Sequence, residues 1–116
     1  MTEFRTRLAR GFGLLRERGY FVKPGDPTNV KDYWWCCMSC GTNALPDGAE
    51  DSYVFYHEQD NTLLNELARS GKPPWVRLCW DGDGYEVRKC LLEAGLAVEW
   101  DGGKNTRIKV CLPTLN

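Results

Sequence analysis

The sequence predicts an α+β fold: three helices with a mixed or antiparallel sheet of about five strands, in the order α-β-β-α-β-α-β-β. Three observations carry that reading. Apolar residues recur at helical spacing in three stretches. Elsewhere they alternate at period two, or run together with aromatic and β-branched residues. Glycine and proline signals separate these stretches at short intervals. A chain of 116 residues, 42% hydrophobic and 27% charged, is one domain over residues 1–116, large enough to bury a core without disulfides.

Phe4, Leu8, Phe12 and Leu15 fall on one face of a helix over 3–18. Gly11 and Gly13 weaken that helix, and Gly19 stands where a left-handed cap is wanted. Tyr20-Phe21-Val22 is a short extended piece, stopped by Pro24-Gly25-Asp26-Pro27. Residues 32–40 read as a strand apolar on both faces and broken at Gly41; 42–51 is a loop. Ser52 to His57 is an aromatic, β-branched strand. A helix over 61–70 follows, with Asp60 as its N-cap and Leu63, Leu64 and Leu67 inward. In the strand 75–80, Val76, Leu78 and Trp80 face the core and Arg77 faces out. Val87, Cys90, Leu91 and Ala94 mark a helix over 84–94, opened by the capping-box spacing of Asp83 and Glu86. Residues 96–100 and 108–112 form a hairpin in which Glu99 pairs with Arg107 or Lys109. Trp80-Asp81-Gly82 recurs as Trp100-Asp101-Gly102, which shared turn chemistry explains.

Formal net charge is −1, which gives no reason to expect nucleic acid or an anionic membrane as partner. Charge is unevenly spread. Residues 1–23 carry six Lys/Arg against Glu3 and Glu17, whereas 24–60 carry seven acidic residues against Lys31. The basic helix and the acidic middle are expected to attract each other within the fold. No signal peptide or apolar span is legible, and three of six cysteines crowd into Cys36, Cys37 and Cys40, a poor disulfide framework. Reduced thiols in a cytoplasmic protein are expected.

Four blocks stand in order: Cys36-Cys37-Met38-Ser39-Cys40, Phe55-Tyr56-His57-Glu58-Gln59-Asp60, Trp80-Asp81-Gly82-Asp83-Gly84 and Val98-Glu99-Trp100-Asp101-Gly102. In these the chain resembles a family of small bacterial proteins described as a domain of unknown function, from about Gly19 to Val110. The resemblance implies bacterial or phage origin and an intracellular setting. It implies no reaction, cofactor or partner.

Cys37 and Cys40 have the spacing of a zinc knuckle, which His57 and Cys79, Cys90 or Cys111 would complete; as fillers, the same cysteines are small apolar side chains beside tryptophans. A redox pair wants a helix N-terminus, and this pair ends a strand. His57 with a cysteine, oriented by Asp60 or Glu58, is the arrangement of a thiol enzyme. Asp81, Asp83 and Glu86 share only the start of a calcium loop, and helix capping accounts for them. Basic residues do not interleave with aromatics along the chain, so single-stranded nucleic acid is not expected. The expectation is a binding protein without catalysis, an accessory or inhibitory factor acting on another protein. Its surface would be the acidic 42–60 segment with Trp35, Tyr56, His57, Gln59 and Asp60. A zinc-stabilised module on Cys37, Cys40 and His57 is the rival, and no other cofactor is expected.

Overall fold

The computed structural model describes residues 2–22, 34–35, 52–104 and 106–113, apart from the side chains of Thr2, Trp34, Trp35, His57, Glu58 and Asn61. In chain order these form α1 (Thr2–Glu17), β1 (Phe21–Val22), β2 (Trp34–Trp35), β3 (Tyr53–His57), α2 (Glu58–Arg69), β4 (Trp75–Asp81), α3 (Gly84–Glu93), β5 (Ala97–Glu99) and β6 (Ile108–Cys111). The class and element order are those the sequence predicts. The extended piece at 21–22 adds a further short strand.

The sheet is mixed, in the order β1-β3-β4-β6-β5, with β2 paired to β3 off that path. β1 and β2 run parallel to β3, β1 against Tyr53–Val54 and β2 against Tyr56–His57. The other pairings are antiparallel. β4 is central, and its alternation sets the two faces of the sheet. Val76, Leu78 and Trp80 join Val54, Tyr56, Ile108 and Val110 in the main core. Phe4, Leu8, Phe12 and Leu15 of α1, Leu64 of α2 and Val87, Cys90 and Leu91 of α3 close over the same face. A smaller cluster of Tyr53, Phe55 and Cys79, with Phe21 against it, lies on the other face. These faces are separate because side chains alternate along each strand.

α1 lies against α3. A Cβ on Gly11 would come within 3.0 Å of Leu91 Cδ2, so the glycine that weakens α1 as a helix lets the two helices approach. Tyr20 ties the end of α1 to the β4–α3 loop: its hydroxyl accepts from Asp83 N–H (2.9 Å) and donates to Asp83 C=O (3.2 Å). Gly82, at φ +121°, passes under that ring where a Cβ would lie 2.8 Å from it.

Two expectations change. α2 begins at Glu58, so Asp60 is its third residue and not its N-cap; the Asp60 carboxylate is engaged elsewhere, by Arg107 and Arg77 N–H. At α3 the cap holds, but Asp83 accepts from Tyr85 N–H (3.0 Å), and Glu86 lies 3.8 Å from Arg18. Among the described residues, Arg7 of α1 pairs with Glu3, and Arg18, just past the helix, lies near Glu86. The acidic 26–51 stretch lies outside those residues, as does most of the expected strand 32–40.

Candidate functional site

The site expected from the sequence divides on folding. Tyr56 is 0% exposed, its ring stacked on Phe12 at 6.2 Å, because β3 turns its even-numbered positions into the main core. It is a core residue and offers no contact surface, which corrects the expectation. Asp60, 7% exposed, is withdrawn into an ion pair with Arg107 (2.5 Å). Gln59 is exposed in the first turn of α2. Trp35 and His57 are register partners across β2 and β3. Their side chains, like Cys37 and Cys40, lie outside what is described.

Among the described residues no group of three His, Cys, Asp or Glu is placed to hold a metal ion. Of the cysteines weighed as a further ligand, Cys90 is in the main core and Cys79 is across the sheet from it. Burial pushes the thiols of Cys79, Cys90 and Cys111 above their ordinary range. At Cys79 the Arg107 guanidinium pulls back against burial, and Asp60 adds to it.

The sheet face away from the main core carries a different arrangement. Arg77 on β4, Lys109 on β6 and Glu99 on β5 stand side by side in register. Lys109 Nζ meets Glu99 Oε2 at 3.1 Å. Arg77 and Lys109 both lie over the Trp75 ring, 5.0 and 4.8 Å from its centre. Each cation over that ring gains roughly 0.5–1 kcal/mol at an exposed site. That offsets part of the repulsion between like charges placed directly opposite on neighbouring strands.

Beside this row is an open groove of about 270 Å³, lined by Arg77, Glu99, Trp100, Asp101, Thr106 and Arg107, with Lys109 at its edge. Two features fix its walls. Arg77 N–H donates to Asp60 Oδ1 (3.5 Å) while Arg107 Nη2 donates to Arg77 C=O, so the Asp60–Arg107 pair holds both main-chain polar groups of Arg77. Asp101 Oδ1 accepts from Gly103 N–H (2.7 Å) and from the Thr106 hydroxyl (2.8 Å). Those two bonds hold its carboxyl below the usual carboxylate range.

Trp100 also lines the groove. Its indole N–H donates to Gly103 C=O (2.9 Å), and its ring meets Trp80 edge-on at 5.6 Å and Tyr85 at 5.2 Å. The two Trp-Asp-Gly segments, read from the sequence as unrelated turns, thus pack against each other.

The sequence places Arg77 outward and pairs Glu99 with the following strand, and both hold. It does not show β4 lying beside β6, so it does not bring Arg77 to Lys109. On the folded face a tryptophan does sit between cations, although the linear order shows no such interleaving.

A family model described as a domain of unknown function (DUF6891) matches residues 5–113, which bears out the resemblance and extends it toward both ends. No curated protein and no solved structure matches the chain.

Proposed function

Starting from a chain that belongs to this domain family of unknown function, DUF6891, we propose a cytoplasmic binding protein that acts on another protein, as an accessory or inhibitory factor, and does not catalyse. The observation that carries this reading is the Trp75–Arg77–Lys109 row beside its groove, on the sheet face away from the main core. A tryptophan and an arginine presented together are typical anchors of protein interfaces, because they supply large contact area with little loss of rotamer freedom. Arg77, set in register beside Lys109, gains nothing for the fold by that placement, and a partner that neutralises it recovers the cost. Tyr56 and Asp60 are interior, and among the described residues this face is the surface that supports the reading. Thiols pushed toward their protonated form favour a role other than nucleophile for Cys79, Cys90 and Cys111.

The test is affinity capture from a bacterial lysate with the parent chain, Arg77→Glu, and Arg88→Glu on α3 as control. A partner held by the parent and the control but lost by Arg77→Glu is the expected result. Capture that ignores Arg77, or no capture at all, overturns the reading.

A further inference from the structure

We infer that the groove takes an acidic segment of its partner protein, one carboxylate side chain of which is bound by Arg77; this rests on the protein-binding reading above. The argument is one of charge, room and company. Three cations border the groove, and two are already neutralised: Lys109 by Glu99 at 3.1 Å and Arg107 by Asp60 at 2.5 Å. Among the described residues no carboxylate lies within ion-pair reach of Arg77, whose guanidinium, exposed over Trp75, is left with unmatched charge.

Openness and room favour a side chain over a small molecule. The groove offers about 270 Å³ and is open to solvent. Sites that enclose a small ligand run to about 300–1,000 Å³ and bury most of its surface. A shallow groove of this size fits a side chain or two projecting from a larger surface. Its company decides against nucleic acid. Glu99 and Asp101 line the same walls, so a chain carrying a phosphate at every unit would meet repulsion at successive positions. A single carboxylate asks only for the cation that Arg77 supplies. The planar fork of a guanidinium matches a carboxylate with two parallel bonds, and the Trp100 ring at the groove wall suits an apolar neighbour of that carboxylate.

Selection of a displayed library of random dodecapeptides on the full chain tests this, with affinities of the selected peptides read by fluorescence anisotropy. The expected result is a recurring Asp or Glu position. Replacing it by its amide, and separately making Arg77→Gln in the protein, each weakens binding about tenfold or more, whereas Arg88→Gln leaves it unchanged. Circular dichroism confirms that Arg77→Gln is folded, and the amide peptide gives the same answer on the unaltered protein. Selected peptides without an acidic position, no selected binders, or binders indifferent to both changes overturn the inference. So does tighter binding of a twelve-residue oligothymidylate than of any peptide. If the inference fails while lysate capture still depends on Arg77, only the acidic class falls; if capture fails as well, the protein-binding reading falls with it.

Discussion

Gly84 shows how one missing methyl group is specified. Its place at the start of α3 looks like a matter of backbone freedom, but it is absent from the residues with positive φ. The constraint is space: a Cβ there would lie 2.4 Å from Trp100 Cη2 and 2.8 Å from Trp80 Cη2. Neither indole can easily give way. Trp80 Nε1 is bonded to Thr106 C=O (2.8 Å) and Trp100 Nε1 to Gly103 C=O (2.9 Å). Gly84→Ala is therefore expected to destabilise the protein by about 1–3 kcal/mol, the usual cost of forcing volume into a packed site. Urea unfolding followed by tryptophan fluorescence measures it; an unchanged midpoint would show that the rings have slack. The sequence marks this glycine only as part of a turn, since the ring that fills its space arrives from sixteen positions further along.

Among the elements, α2 is the one whose start the sequence misplaces. Asp60 precedes a helical run, which is an N-cap pattern, yet the helix has already begun at Glu58. What wins is tertiary: the Arg107 guanidinium, brought up by β6, takes the carboxylate. No local pattern reveals a partner 47 residues away. The pair joins the first turn of α2 to β4 and β6, so Asp60→Asn should loosen that joint. A broken buried pair costs several kcal/mol, but Arg107 keeps 35% of its side-chain surface and is partly hydrated. About 1–2 kcal/mol is the expected loss, with faster amide exchange at Arg77 and through the first turn of α2. Exchange that is faster everywhere by the same factor would mean that Asp60 serves overall stability and not this joint. The hairpin was legible, with Glu99 facing Arg107 or Lys109, because alternation is a local signal; the fold selects Lys109. The neighbours of β4 were not, because strand order depends on contacts between distant segments.

For the whole molecule, the two faces of the sheet divide the work. One is closed by the helices over a dry core. The other combines the Tyr53, Phe55 and Cys79 cluster with the charged groove. Burial raises the thiols of Cys79, Cys90 and Cys111, and it raises the Tyr20 and Tyr53 hydroxyls too. In each case the folded chain holds its proton more tightly than the unfolded one. Their contribution to stability is whole below the ordinary thiol and phenol values and is lost as pH rises through the raised ones. The urea midpoint should therefore fall between pH 7 and about pH 10.5. A midpoint that holds or climbs would show these groups to be wetter than their burial implies. Alternation made the core readable in advance, whereas the groove was not, since it is assembled from β4, β5, β6 and the turn at 101–106. The strand pairing also bears on how the chain finds its shape. Joining β1 to β3 closes a loop of roughly 30 residues, whereas β5 and β6 meet across a short turn. Long closures spend entropy before any contact rewards them, so the β5–β6 hairpin is expected to form before β1 is laid on β3.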